Sequence, residues 1–270
     1  MAGDQRGDNA SPFDTENLSG MGITRFKKIQ ARTVEHEFNG DGHEILSGNK
    51  VTGWSVNFPI GATCQPSKLC ADTCYGLKGP ITWSSSLNKQ ARNLAFCRAD
   101  PIFFADSLAA ECRKKLKRDD NFYVRWNGVG DLFPEAIIAL KALNEQLPSL
   151  PIWCVTRIPR YARQLYGLKN LWVHFSLDKS SMDRYKDMKG DYDSASNLFF
   201  SYQCEPDEKL EYLPEAVRVL FFDNYKIKEV NKAWTKSAVL CPLNKRSDIT
   251  GACFDCRRCF NGSARLDPES

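Results

Sequence analysis

The sequence contains no apolar run approaching the ~20 residues that a membrane-spanning helix needs. Its polar start, MAGDQRGDNASPFDTENLSG, has no apolar segment of the kind found in a signal peptide. A strong charge excess is also missing, since 37 Lys and Arg face 33 Asp and Glu, so the composition does not indicate a nucleic-acid partner. We therefore expect a cytoplasmic protein without a membrane partner, in a reducing compartment where structural disulfides are rare.

The order of apolar runs along the chain predicts one large α/β domain. With 270 residues, of which 42% are hydrophobic, the chain can bury a sizeable single core. Strand-like runs alternate with helix-like stretches, which predicts parallel strands joined by right-handed crossovers. We expect a partial or closed TIM-like (β/α) barrel of six to seven parallel strands. The predicted strands are VTGWSVNF (51–58), NFYVRWN (121–127), PIWCVT (151–156), LWVHFSL (171–177), NLFFSYQ (197–203), AVRVLFF (216–222) and SAVL (237–240).

Helix start signals lie between these strands. Serines precede or begin a predicted helix at 84–97, and Asp100 followed by Pro101 is a typical N-cap and first helical position. Pro134 and Pro159 open two further helices, and Ser180 or Ser181 caps the last. We expect four regions: a disordered arm (1–22), a barrel domain (23–235), a cysteine-rich cluster-binding segment (236–262) and a disordered tail (263–270).

Eleven cysteines in a reducing compartment require an explanation, and metal binding is the first candidate. The stretch CPLNKRSDITGACFDCRRC supplies Cys241, Cys253, Cys256 and Cys259. A C-x2-C-x2-C run with a remote Cys-Pro is the ligand pattern of a four-iron, four-sulfur cluster. Structural zinc usually uses two separated pairs of cysteines. The pattern favours iron and sulfide, with zinc or no metal as the alternatives.

A second group lies in CQPSKLCADTCYG (64–76), which supplies Cys64, Cys70 and Cys74. Three thiolates can hold three irons of a cubane and leave the fourth iron open, and an open metal position is typical of a catalytic site. Two alternatives remain: one site that draws cysteines from both groups, or a fourth ligand from Cys97 or Cys204. The helix and strand positions of Cys97, Cys112 and Cys154 predict small core residues instead.

Polar residues follow several predicted strands, where (β/α) folds place their chemistry. Arg125 and Asp131 are the candidate catalytic residues. Burying Arg125 is costly unless it clamps an anionic ligand or pairs with Asp131. The candidate cofactor-binding residues, some of which also have structural interpretations as turn or core residues, are Tyr75, Asn127, Gly128, Gly130, Thr156 and Ser176.

The first resemblance of these residues is to the radical S-adenosylmethionine enzymes. Members of that family carry three cysteines after the first strand of a partial barrel and a Gly-Gly-Glu-like turn after the second. Here the corresponding stretches are the loop from Cys64 to Cys74 and NGVGD (127–131), and the architecture corresponds from Val51 to Phe222. The resemblance implies that the N-terminal cluster binds S-adenosylmethionine. This chain departs from the family in reading C-x5-C-x3-C, with Tyr75 after the last cysteine.

The second resemblance is to the phage and mobile-element family called gene product eighty-eight. It rests on C-x5-C-x3-C-Y, on R-W-x-x-x-G-D-L at 125–132, and on the late Cys-Pro and C-x2-C-x2-C. The resemblance implies a metal site and a viral or mobile origin, hence the cytoplasm of a host cell. It does not name a reaction.

Two functions of different classes are compatible with these patterns. The leading hypothesis is an iron–sulfur enzyme with one or two four-iron clusters, an open iron in the N-terminal cluster for S-adenosylmethionine or a substrate, and an auxiliary C-terminal cluster. Its partners would be a small-molecule ligand and an electron donor. The alternative is a phage binding or regulatory protein with structural clusters or zinc and no redox catalysis. A third hypothesis uses the open iron as a Lewis acid.

Overall fold

One mostly parallel sheet organises the chain. The computed structural model describes residues 24–25, 28–29, 36–50, 52–205, 208, 213, 217–221, 239–241, 253, 256 and 259. Eight strands are hydrogen-bonded in chain order. The first pair is antiparallel and every later pair is parallel. The strands are β1 (Ser47–Asn49), β2 (Gly53–Val56), β3 (Val124–Trp126), β4 (Ile152–Thr156), β5 (Leu171–Leu177), β6 (Leu198–Gln203), β7 (Val217–Phe221) and β8 (Val239–Leu240).

The mixed α/β class and the parallel strands β2 to β8 confirm the prediction made from the alternation. The closed form of the predicted barrel is wrong. Within the described part of the chain, β1 and β8 are the two edges of the sheet and do not pair with each other. Strand β1 was not predicted, because Ser-Gly-Asn shows neither apolar alternation nor β-branched residues.

Helices connect the successive strands from β2 to β6, as the crossovers require. They are α1 (Ile60–Thr63), α2 (Lys68–Thr73), α3 (Ser84–Ala99), α4 (Pro101–Leu116), α5 (Pro134–Gln146), α6 (Pro159–Arg163) and α7 (Met182–Ser194). Asp100 caps α4 as predicted, its side chain accepting the Phe103 N–H at 2.9 Å. One predicted cap is wrong, because Trp83 occupies the N-cap of α3. Ser181 is the N-cap residue of α7, as predicted, and it ends a short 3-10 turn (Lys179–Ser181) whose capping box is formed by Asp178.

The main core lies between the helices and one face of the sheet. Val124, Trp126, Cys154, Phe175 and Phe200 point into it and are fully buried. The prediction of core positions for three cysteines is confirmed, because Cys97, Cys112 and Cys154 are 0% exposed. Cys204 lies in the same core.

The opposite face of the sheet carries most of the charged and polar strand residues, and we call it the polar face. Side chains alternate between the two faces of a strand, so its members are the residues between those that point into the core. The predicted shared face of Tyr123, Arg125 and Asn127 is therefore confirmed. The polar face comprises Ser55, Arg125, Asn127, Trp153, Val155, Arg157, Trp172, His174, Ser176, Asp178, Phe199, Ser201, Gln203 and Arg218.

No helix in the described ranges is both long and apolar enough to span a bilayer. The predicted arm (1–22) and tail (263–270) lie outside the described residues. Of the predicted cysteine-rich segment (236–262), the structure describes residues 239–241, 253, 256 and 259. These boundaries stay predictions.

Candidate functional site

Two short helices after β2 bring the N-terminal cysteines together. Cys64 follows α1, Cys70 lies within α2, and Cys74 is the C-cap residue directly after α2. The pKa of the Cys64 thiol is raised well above its usual value, first by burial and then by the nearby Asp131, Cys74 and Cys70. The three thiols are therefore close enough to interact electrostatically. We call Cys64, Cys70 and Cys74 the N-terminal group.

A small apolar cluster covers this group. Cys64 and Cys74 pack against its buried side chains, which exclude water from one side of the thiols. The members of the cluster are Ile29, Ile60, Ala71, Leu77, Leu87 and Val129.

A buried network ties helix α2 to the carboxyl ends of three strands. Ser67, the N-cap of α2, accepts the Cys70 N–H at 3.2 Å and donates its hydroxyl to the Asp178 carboxylate. Arg157 donates to Asp178 at 2.8 Å and to the Gln203 side-chain oxygen at 2.6 Å. Gln203 in turn donates to Thr73, the last residue of α2, at 2.8 Å. Both ends of α2 are thereby fixed to the ends of β4, β5 and β6.

The ion pair inside this network is buried, with side-chain exposures of 6% for Arg157 and 0% for Asp178. Burial alone would raise the pKa of Asp178, but the Arg157 guanidinium and hydrogen bonds from Ser67 and Ser180 hold it below its usual value. Burial opposes the charge of Arg157, yet Cys70 and Asp178 keep its pKa raised. The guanidinium is therefore a fixed positive charge beside Cys70.

The side chain of Asp131 accepts hydrogen bonds from residues around the end of β4. Its carboxylate accepts the Thr156 hydroxyl at 2.6 Å and the Arg157 backbone N–H at 3.2 Å. Burial raises the pKa of Asp131 to about 6, although these hydrogen bonds oppose the shift. Thr156, predicted to bind a cofactor, is the hydroxyl donor that holds Asp131 in place.

The glycines of the NGVGD turn have a packing reason. A Cβ at Gly128 would lie 2.2 Å from the Asn57 side-chain oxygen, which accepts the Val129 N–H. Gly130 has a positive φ of 90°, and a Cβ there would lie 2.8 Å from the Phe58 carbonyl oxygen. The turn therefore packs against the end of β2. Whether a cofactor also approaches it stays a prediction.

Asn127 is a predicted cofactor-binding residue with a buried polar atom left open among the described residues. It adopts a left-handed φ of 61°, is 3% exposed, and donates weakly to the Val155 carbonyl at 3.5 Å. Its Oδ1 atom has no hydrogen-bond partner among the described residues. An unpaired buried oxygen beside a strained backbone is typical of a ligand-binding position.

The other cysteines with predicted ligand roles gather on the polar face. The pKa of the Cys259 thiol is raised well above its usual value by burial and then by Cys241, Cys253 and Cys256, and we call these four the C-terminal group. Cys253 and Cys259 pack against Tyr123 and Trp153. The later part of the chain thus places thiols over the sheet.

His174 fixes this group, a role that the sequence did not predict. Its Nε2 atom donates to the Cys259 carbonyl oxygen at 2.7 Å. Burial lowers the pKa of His174 to about 4, so the ring is neutral near neutral pH. Ser176 lies two residues further along β5, is 2% exposed and is paired in register with Ser201.

Arg125 reaches from the sheet towards both groups. It donates from Nη2 to the Tyr75 hydroxyl at 2.8 Å, and Tyr75 follows Cys74 directly in the chain. Its guanidinium carbon lies 4.9 Å from the ring centroid of Trp153, against which Cys253 and Cys259 pack.

The donor chemistry of both groups is thiolate alone. All eleven cysteines are free thiols. Soft thiolate ligands suit iron–sulfur clusters and zinc, so the donor type in both groups is the one that such sites use. No three His, Cys, Asp or Glu side chains in the described part of the chain are arranged to hold a single metal ion.

Sequence comparison identifies one related family. A sequence model described as gene product 88 matches residues 24–262. No curated protein and no solved structure matches the chain. The resemblance to radical S-adenosylmethionine enzymes therefore finds no support in these comparisons.

Proposed function

The chain belongs to the gene product 88 family, and on that premise we propose that it is an iron–sulfur protein with two cluster-binding groups on one face of its sheet. One observation carries the proposal. Cysteines from two stretches far apart in the chain lie beside residues of the polar face: Tyr75, next to Cys74, accepts a hydrogen bond from Arg125, and Cys253 and Cys259 pack against Trp153.

The residues that would hold the clusters follow from this placement. Cys64, Cys70 and Cys74 would hold one cluster, and Cys241, Cys253, Cys256 and Cys259 would hold the other. When bound, such clusters supply one-electron redox chemistry, and an iron without a protein ligand supplies a position for a small ligand.

The chain's own side chains support this role in three ways. The Arg157–Asp178 pair holds α2 and its thiols against the strand ends. The apolar cluster around Cys64 and Cys74 excludes water. A negatively charged iron–sulfur cluster held there would have a lower reduction potential than one exposed to water. Arg125 and Arg157 place positive charge beside thiolates that would otherwise repel one another.

An enzymatic role for the three-cysteine group is part of the proposal. Arg125, as a carboxylate clamp, and Asn127, with its unpaired Oδ1, stand at the carboxyl end of β3, where a small ligand would meet the N-terminal group. S-adenosylmethionine is the candidate ligand to test first. The electron donor is a further partner that this proposal requires.

A second candidate function is favoured by the burial of the polar face. His174 and Ser176 are each 2% exposed and Ser201 is 5% exposed, so much of this face is already covered by the chain itself. Covered clusters would stabilise a binding or regulatory protein without catalysing a reaction. Added S-adenosylmethionine would then leave the paramagnetic resonance spectrum of the reduced protein unchanged.

Cysteine variants test the proposal group by group. Replacing Cys64, Cys70 and Cys74 together by alanine should remove about half of the iron and sulfide, and replacing Cys253, Cys256 and Cys259 should remove the other half. The matched control is Cys112→Ala, which removes a buried core thiol and should leave the iron content unchanged. Equal iron content in the parent protein and all three variants would contradict the assignment of these cysteines.

A further inference from the structure

Arg125 contacts the loop that carries the N-terminal group. Its Nη2 atom donates to the Tyr75 hydroxyl at 2.8 Å, and its guanidinium carbon lies 5.5 Å from the Tyr75 ring centroid. Tyr75 is the residue after Cys74. A displacement of Cys74 would therefore move the acceptor of Arg125.

The same guanidinium also acts on the C-terminal group. It lies 4.9 Å from the ring centroid of Trp153, and Cys253 and Cys259 pack against that ring. The guanidinium thus lies between Tyr75 of the N-terminal loop and the ring that supports Cys253 and Cys259.

His174 provides a second fixed point for the C-terminal group. It donates to the Cys259 carbonyl oxygen at 2.7 Å and meets Trp153 in a T-shaped contact with ring centroids 5.7 Å apart. The Trp153 ring is thus held by His174 on one side and by Arg125 on another. Replacing Arg125 would therefore allow the Trp153 ring, against which Cys253 and Cys259 pack, to move.

We propose that Arg125 is a positioning residue that couples the two cysteine groups. It holds the C-terminal group on the sheet, and how firmly it does so depends on its contact with Tyr75 in the N-terminal loop. Metal binding at one group then changes the exposure of thiols in the other. The inference goes beyond the proposed function, because it rests on the placement of the groups and applies equally to iron and zinc.

The chemistry of arginine explains why this position would need it. The planar guanidinium donates in a fixed direction and stacks on aromatic rings at the same time, whereas a lysine ammonium supplies only the charge. Arg125→Lys should therefore keep the positive charge but lose the simultaneous contacts with the Tyr75 hydroxyl and the Trp153 ring. Tyr75→Phe should keep the ring and lose the hydroxyl acceptor.

The test measures alkylation of individual cysteines by iodoacetamide in the full-length, metal-free protein, with peptides quantified by mass spectrometry. Arg125→Gln should raise the alkylation rate of Cys253 and Cys259 about tenfold, because local opening exposes thiols in proportion to its population and an opened, solvated thiol ionises like a free cysteine. Tyr75→Phe should raise the same two rates about threefold. The matched control is Arg163→Gln, which removes a guanidinium that pairs with Asp187 and Asp191 on the helical side and should change neither rate.

Unaltered alkylation rates of Cys253 and Cys259 in both Arg125→Gln and Tyr75→Phe would overturn the coupling. A Tyr75→Phe variant in which only the alkylation rate of Cys74 changes would also overturn it. The fully buried thiols Cys97 and Cys154 report global unfolding in the same sample. If their rates rise in Arg125→Gln, the milder Arg125→Lys and Tyr75→Phe decide the question by the same criterion. Since no iron is needed, a failure here is distinct from a failure of the iron–sulfur proposal.

Discussion

Replacing Asp178 by alanine is expected to lower the free energy of unfolding by about 3–5 kcal/mol, the typical cost of removing one partner of a buried ion pair. The change leaves the Arg157 guanidinium buried without its carboxylate, since the pair is 6% and 0% exposed. It also removes the acceptor of the Ser67 hydroxyl, which caps the helix that carries Cys70. Denaturant unfolding of the variant and the parent protein measures the difference.

The matched control for this substitution is Asp187→Ala, which removes an exposed carboxylate 3.1 Å from Arg163. Surface pairs contribute about 0–1 kcal/mol, so the control should remain close to the parent protein. Arg157→Gln combined with Asp178→Ala should cost less than the sum of the two single changes, because the double variant leaves no uncompensated charge. Equal losses in Asp178→Ala and Asp187→Ala would contradict the account of the network.

Replacing Gly128 by alanine is expected to destabilise the protein by about 3 kcal/mol, the upper part of the usual range for an added methyl group in a packed interior. The new Cβ would lie 2.2 Å from the Asn57 oxygen and 2.8 Å from the Ser55 hydroxyl oxygen. Moving Asn57 breaks its hydrogen bond to the Val129 N–H and shifts the turn that leads to Asp131. The melting temperature and the denaturant midpoint should both fall.

Gly190→Ala provides the opposite expectation with the same chemical change. Gly190 lies inside helix α7, is exposed, and has no heavy atom within 4 Å of an added Cβ. Alanine in a helix interior is favoured over glycine by about 0.5–1 kcal/mol, so this variant should be slightly more stable than the parent. A Gly128→Ala protein as stable as Gly190→Ala would show that the turn has room for a side chain.

The sequence predicts the elements of this fold well because their signals are local. Asp100 followed by Pro101, and Pro134 after a turn, are start signals that act within one helical turn, and both helices begin there. Closure of the sheet was not predictable, since it depends on whether the two edge strands meet, which strand count and alternation do not determine.

The sequence indicated the candidate cysteines but not the residues that hold them in place. Spacing alone selected the thiols that the structure gathers into two groups. The residues that hold them are far apart in the chain: 111 positions separate Ser67 from Asp178, and 130 separate Thr73 from Gln203. Such contacts arise only when strand ends meet. The contact between Arg125 and Tyr75 is of the same kind, since 50 positions separate the two residues.

The most direct test of the central claim is the content of iron and acid-labile sulfide per chain in protein purified without oxygen. The account predicts about eight irons and about eight sulfides per chain, the content of two four-iron clusters. Zinc without sulfide in the same preparation would contradict it.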